Sequence, residues 1–169
     1  RVTRDSGSGN VDWWEKKKTY NYYYEIENYN NDLITLDAKI GYEYLDETSN
    51  YHANASSFAT DYGHNTYIDS IYSMISLNFN DSAFADIGIR KDDHEYHGSK
   101  YNPTVFLSRY MSSELKLRGG YSRGIKYPGI YETYSATSLD PEESESYEIG
   151  MDYENTLYAL SLTLFKSKT

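Results

Sequence analysis

The feature that most constrains this sequence is an alternation with period 2, in which apolar residues occupy every second position. From residue 36 the even positions carry Leu36, Ala38 and Ile40, while the odd positions carry Asp37 and Lys39. Successive side chains of a β-strand point to opposite faces, so this pattern predicts a strand with one apolar face and one charged face. The pattern recurs in further segments, at residues 67–79, 83–90, 115–122, 146–153 and 158–164, and less clearly at 20–27 and 102–110.

These segments predict about eight strands, several of them about 10 to 15 residues long, whereas strands of globular proteins average about 5 to 6 residues. Short polar turns are predicted near residues 30–33, 80–82, 111–113 and 154–156. Long polar loops are predicted at residues 46–65, 91–101 and 124–143. All short turns then lie at one end of the sheet and all long loops at the other, as in outer-membrane barrels. The pattern favours an all-β, antiparallel, up-and-down transmembrane barrel; a soluble β-rich carbohydrate-binding module with tyrosine platforms is the alternative.

Composition excludes several classes of function. The formal net charge of −10 argues against nucleic acid as a partner, because binding phosphates requires clustered Lys and Arg. The sequence has no cysteine, hence no disulfide framework, and no stretch of about 18 apolar residues that would form a membrane helix. Nucleophile-elbow, phosphate-loop and H-E-x-x-H motifs are also missing from the sequence, which predicts neither an enzyme nor a cofactor. The start at Arg1, without Met or an apolar leader, suggests a processed or excised piece.

Two stretches carry a family resemblance: "SELKLRGGYSRGIKYPGIYETY" at residues 113–134 and "LDPEESESYEIG" at residues 139–150. Together they resemble the late barrel strands of the TonB-dependent outer-membrane receptors. The matching residues that we expect to have structural roles are Tyr121, Pro128, Pro141, Glu142, Glu145, Tyr147, Glu148 and Gly150. Ile125, Asp140 and Glu143 depart from the usual family pattern.

The resemblance implies a location in the outer membrane of a Gram-negative bacterium and a fold in which residues 1–169 are part of a 22-stranded barrel. Periplasmic turns would be short and extracellular loops long. It implies import of a scarce ligand, most often an iron–siderophore complex and alternatively vitamin B12. The implied partners are outer-membrane lipid, a small metal chelate, the receptor's own plug domain and TonB, with colicins and phages as further candidates. This sequence contains neither the plug domain nor the TonB-binding segment.

In such a barrel, alternate charged residues would face the lumen. These are Asp37, Lys39, Glu43, Asp86, Arg90, Lys116, Arg118, Glu148 and Asp152. The candidate ligand-binding residues are aromatic or histidine side chains of the polar segments: Trp13, Trp14, Tyr51, His52, His64, His94, His97, Tyr127 and Tyr131. Trp13 and Trp14, which precede the first predicted strand, are alternatively part of an aromatic belt at the membrane interface.

Two further groups of residues can be explained either by a function or by an ordinary structural role. His94 and His97, with Asp92, Asp93 and Glu95, have metal-ligand chemistry, although solvated polar loop residues are the commoner explanation and no metal site is predicted. Pro128 and Pro141 either mark a ligand-contacting loop or simply end and restart strand pairing, because proline lacks the backbone donor.

Overall fold

The computed structural model describes residues 2–6, 9–31, 33–55, 58–129, 132 and 139–169, with side chains from residue 14 onward except at 28, 51 and 53–62. Nine strands form one sheet in chain order, and every neighbouring pair is antiparallel. They are β1 Val2–Ser6, β2 Gly9–Asn30, β3 Ile34–Ala55, β4 Phe58–Phe79, β5 Ala83–His94, β6 Gly98–Tyr110, β7 Leu115–Lys126, β8 Glu142–Glu154 and β9 Ala159–Lys168. The predicted up-and-down topology is confirmed, and no described helix is long and apolar enough to cross a membrane.

Cross-strand register sorts the side chains into two faces, which we call the apolar face and the polar face. One row of the apolar face runs through Leu36, Leu77, Ala85 and Leu107, and ends across β8 and β9 with Ile149 and Leu164. The next row along the strands belongs to the polar face, where Asp37, Ser76 and Asp86 are paired. All nine charged residues that the sequence predicts to share a face are on the polar face.

Burial is inverted relative to a soluble sheet. Among the described residues, Ala85 is the only buried hydrophobic side chain, while the buried polar ones are Ser49, Thr66, Ser70, Asp92 and His94. Large apolar side chains such as Ile40, Ile71, Leu107 and Ile149 are more than half exposed. Because a contiguous exposed apolar surface of this kind needs an apolar environment, the apolar face matches a lipid-facing wall.

The apolar band has a defined edge at the end of the sheet opposite the tight turns, which we call the loop end. Toward the loop end, the first charged residue of the apolar face on each strand is Lys18, Asp46, Asp69, Lys91, Arg123, Glu145 or Lys166. Tyr20, Tyr44 and Tyr67 lie next to this edge, with ring centroids 6.4 Å and 6.2 Å apart along the row. Such rings suit a boundary between lipid and water.

The tight turns are built by short polar side chains, as predicted. Asn80 and Asp81 have positive φ angles of 49° and 55°, the conformation of a two-residue hairpin turn, and the Ser82 N–H donates to the Phe79 carbonyl at 3.0 Å. Asn31 and Asn155 each close another turn, where the side-chain oxygen accepts two backbone N–H groups at 2.8 to 3.0 Å.

Two of the three predicted long loops are wrong. Residues 46–65 belong mostly to β3 and β4, which are 22 residues each like β2, and residues 91–101 form a hairpin whose three-residue turn is 95–97. The longest connection joins β7 to β8 through residues 127–141, as predicted. β2, β3 and β4 therefore extend well beyond the loop end of β5–β9. β1 lies on this extension, because it pairs with residues 9–13 of β2.

Candidate functional site

An arginine lies on the polar face, in a middle strand of the sheet and near the loop end of that strand. Arg90 of β5 donates through Nη2 to Glu43 Oε1 at 2.7 Å and to Ser70 Oγ at 2.8 Å, and through Nε to Asp92 Oδ1 at 2.6 Å. Asn102 of β6 donates to the other oxygen of Asp92 at 2.9 Å. Register explains the network, because these residues come from neighbouring strands at adjacent rows of one face. The guanidinium is therefore fixed in place by two carboxylates of the chain.

A cluster of aromatic side chains lies next to this network. The His94 ring is stacked on the Tyr127 ring with centroids 4.5 Å apart, and the His97 ring is 4.7 Å from His94. His94 is buried at 4% exposure, and its Nδ1 accepts the Tyr96 backbone N–H at 3.1 Å. The chain thus places the start of the long 127–141 connection directly over the end of β5.

Both main members of this cluster are held uncharged. His94 follows Asp93, an apolar-face position already beyond the edge of the apolar band, so it lies outside the membrane-spanning part of β5. Burial, with His97 as a second cause, lowers the pKa of His94 to about 4. Burial, with the nearby Asp92 carboxylate as a second cause, raises the pKa of the Tyr127 phenol to about 12.

Three buried polar atoms in this region have no hydrogen-bond partner among the residues that the structure describes: His97 Nε2, Asn102 Oδ1 and Tyr127 Oη. Asn102 belongs to the Arg90 network through its amide nitrogen, and His97 and Tyr127 belong to the aromatic cluster. Buried polar groups are normally satisfied, so these atoms mark a place suited to further polar contacts. We call the Arg90 network and the aromatic cluster together the mouth site.

A second ion-pair group closes a gap in the strand pairing beside the mouth site. Pairing of β6 with β7 stops at Thr104, next to Pro103, which lacks a backbone donor. Lys100 of β6 instead donates to Glu143 of β8 at 2.8 Å, and Arg123 of β7 donates to the same carboxylate. The departure from the family pattern at Glu143 therefore has a structural role.

The structure brings together three of the predicted ligand residues, His94, His97 and Tyr127. His52 and His64 lie within β3 and β4, where they are paired with Asp61 and Ser49, and so they are not loop residues. Tyr131 and the side chains of Trp13 and Tyr51 lie outside the described residues.

The sequence predicted that the two tryptophans precede the first strand, and this prediction is wrong. Both belong to β2, where Trp13 is paired with Tyr51 and Trp14 with Asn50. Trp14 is 39% exposed and lies beyond Lys18, the first charged residue of the apolar face on β2, so it is outside the aromatic belt.

The structure places the predicted motif residues in β7, in β8 and at the two ends of the connection between these strands. Tyr121 and Tyr147 are paired across β7 and β8 with ring centroids 5.0 Å apart, while Pro128 and Pro141 lie outside the strands and bound the long connection. The remaining motif residues are all in β8, namely Glu142, Glu145, Glu148 and Gly150.

Gly150 is explained by a close approach. A Cβ there would lie 2.8 Å from Arg118 Cζ, so the absent side chain lets Arg118 lie against the wall. In that position Arg118 donates to Asp152 at 3.2 Å and contacts Glu148 at 3.5 Å.

Sequence reasoning placed Arg90 and Glu43 on the polar face but did not identify the network with Ser70, Asp92 and Asn102. The only signal was parity along each strand, which gives the face of a residue and not its cross-strand neighbour. Within the described part of the chain, no group of three or more His, Asp or Glu side chains is arranged to hold a metal ion.

Comparison with known proteins gives a consistent result. The model of the family described as TonB dependent receptor-like, beta-barrel, matches residues 2–169. The probable TonB-dependent siderophore receptor PirA of Acinetobacter baumannii is 26% identical over 123 residues, covering 59% of this chain and 16% of that protein. The vitamin B12 transporter BtuB of Photobacterium profundum is 30% identical over 131 residues, covering 74% of this chain and 20% of that protein.

Solved structures share the fold. The crystal structure of the siderophore receptor PirA from Pseudomonas aeruginosa superposes with a TM-score of 0.72 at 19% identity, covering 98% of this chain and 36% of that chain. The chain therefore spans about a fifth or less of the length of the curated relatives it matches.

Proposed function

Because the chain belongs to the family of TonB-dependent receptor-like β-barrels, we propose that it forms part of the barrel wall of an outer-membrane receptor of a Gram-negative bacterium. The single observation that carries the proposal is the inverted sheet, with its apolar face exposed and its charged and buried polar residues on the other face. In this arrangement β2–β9 cross the membrane, the apolar face contacts lipid and the polar face lines the lumen. The rest of the barrel and a plug domain would come from residues outside this chain.

The receptor imports an iron–siderophore complex. Supporting this, two of the relatives are named as siderophore receptors, PirA of Acinetobacter baumannii and the ferrienterobactin receptor of Escherichia coli, at 26% and 22% identity. The loop end faces the outside, and the mouth site is where an entering ligand first meets the lumen wall. Release into the periplasm would require the plug and TonB.

Vitamin B12 is the second candidate ligand. The observation that favours it is the relative with 30% identity over 74% of this chain, which is named as a vitamin B12 transporter. A corrin with amide side chains and an iron chelate are both too large to pass an ordinary porin, so either would require a gated receptor.

The experiment is an uptake assay with the full-length receptor as the only such receptor in an outer membrane. Cells receive ⁵⁵Fe-loaded siderophores or ⁵⁷Co-cyanocobalamin, with and without TonB. TonB-dependent uptake of an iron chelate supports the proposal, and TonB-dependent uptake of cobalamin alone supports the second candidate. Absence of uptake of every probe by a receptor that is folded in the membrane would contradict both.

The contribution of the mouth site is tested in the same assay. Tyr127→Ala removes the ring that covers His94, and we expect the half-saturating ligand concentration to rise about tenfold at an unchanged receptor level. Tyr158→Ala, at the opposite end of the sheet, is the matched control.

A further inference from the structure

The cations at the loop end of the polar face are neutralised within the chain. Arg90 is bound by Glu43 and Asp92. Lys100 is paired with Glu143, which also accepts from Arg123 of the apolar-face row, and Lys17 is paired with Glu47. A cation that is paired with a carboxylate adds little net positive charge to the site, and that carboxylate would repel an anionic ligand that approaches the pair.

The stacked rings of His94 and Tyr127 add no positive charge to the mouth site. His94 is buried and lies near Asp92 of its own strand and Glu47 of β3, as well as near His97 and Tyr127. It is neutral at the pH of the cell surface, since burial keeps its pKa at about 4. Tyr127 keeps its phenolic proton for the same reason, because its pKa is about 12.

The three buried polar atoms of the mouth site named above favour ligand groups that donate hydrogen bonds. Asn102 Oδ1 can only accept a hydrogen bond, because the amide nitrogen of this side chain already donates to Asp92. His97 Nε2 and Tyr127 Oη can also accept, and none of the three buried atoms has a partner within the described part of the chain. Ligand groups that carry N–H or O–H would satisfy them, whereas carboxylate or catecholate oxygens would not satisfy Asn102 Oδ1.

We infer that the ligand is a metal chelate of low net charge that presents amide N–H or O–H groups, and not a polyanionic chelate. The inference deepens the proposed function and rests on it. A ferric trihydroxamate and cobalamin both belong to this chemical class, whereas a ferric tris-catecholate carries three negative charges. Glu43 and Asp92 in the mouth site, and Glu143 beside it, set this charge selection. Each carboxylate offsets the positive charge of the cation with which it is paired.

The test measures the dissociation constant of each probe for the full-length receptor in detergent. Quenching of the protein's fluorescence by the bound probe reports the binding. The probes are neutral ferrichrome, ferrioxamine with its free ammonium, cyanocobalamin and ferric enterobactin. We expect the tightest binding from one of the first three, with ferric enterobactin at least about tenfold weaker. Ferrichrome or ferrioxamine would identify a hydroxamate chelate, and cyanocobalamin would identify the corrin source.

Tighter binding of ferric enterobactin would overturn the inference while leaving the proposed receptor function in place. Failure of every probe to bind or to enter cells would instead overturn the proposed function, and the inference with it. The two failures are therefore distinguishable.

Variants test the physical cause. Glu43→Gln releases one carboxylate from Arg90, and Glu143→Gln releases both Lys100 and Arg123, so each should tighten binding of ferric enterobactin about tenfold relative to the neutral probes. Asp86→Asn is the matched control, since this polar-face carboxylate is bonded to Ser76 and holds no cation. An equal shift in Asp86→Asn would show that overall charge is responsible, and the mouth site would then have no part in selection.

Discussion

Phe106 is an apolar ring on the polar face, and it fits there because its cross-strand partner is Gly120. The ring occupies the space that a Cβ at residue 120 would take, so it lies flat against the wall and does not extend into the lumen. The pairing also discriminates between registers that differ by two residues, which the apolar and polar alternation cannot do.

Gly120→Ala should therefore destabilise the folded receptor by about 1 to 3 kcal/mol, because the ring must rotate out of its position. Urea unfolding of the full-length receptor in detergent measures the change. Gly88→Ala is the control, since a Cβ there meets Ser73 O at 3.6 Å and Thr104 Cβ at 3.8 Å, which are ordinary contacts. Adding Phe106→Ala to Gly120→Ala should restore part of the loss; equal effects at residues 88 and 120 would refute the close-approach argument.

His94 gives a pH prediction. Its folded-state pKa of about 4 lies below the ordinary value of 6.5, so between these values the unfolded chain binds a proton that the folded chain does not. The contribution of His94 to stability is complete above about pH 6.5 and is lost progressively as the pH falls toward 4. Histidine-selective NMR of the folded receptor, assigned with His94→Gln, should show this ring titrating near 4. A midpoint near 6.5 would contradict the burial seen here.

At the scale of the strand, the alternation could be predicted because lipid on one side and water on the other leave a strong period-2 signal. Residues 46–65 and 91–101 could not be assigned correctly, since a strand segment with polar residues on both faces has the composition of a loop. The strand pairing of residues 9–18 with β3 was missed for the same reason. Only part of the mouth site could be predicted from the sequence. His94, His97 and Tyr127 were chosen by residue type, but the contact between their rings depends on the path of the connection after β7.

Arginine scanning of β4 tests which face meets lipid. Ile75 and Ser76 are adjacent in β4, with Ile75 on the apolar face and Ser76 paired to Asp86 on the polar face. Ile75→Arg should destabilise the folded receptor by about 2 to 4 kcal/mol and lower its amount in the outer membrane. Ser76→Arg places the same side chain in the lumen beside Asp86 and should be tolerated. Equal loss for both variants would mean that the two faces share one environment.

At the scale of the whole molecule, family membership and the two-faced sheet support the same architecture, while the inference about the ligand rests on residues at one end of the sheet. The chain spans 16% to 20% of the length of the curated relatives that it matches. Sequence alone could indicate the barrel family, because residues 113–134 and 139–150 resemble the late barrel strands of that family; the strand alternation by itself left a soluble β protein as an alternative. It could not indicate the charge class that we infer for the ligand, because that inference depends on which carboxylate each cation meets across strands.

The most direct test of a lipid-facing apolar wall is site-directed spin labelling of β4 in the full-length receptor in liposomes. This chain contains no cysteine, so single cysteines at positions 71 to 77 can be labelled without interference from it. We predict that accessibility to oxygen is high at residues 71, 73, 75 and 77, and that accessibility to a water-soluble nickel chelate is higher at 72, 74 and 76. Uniform accessibility to the nickel chelate along the strand, without period 2, would contradict the account.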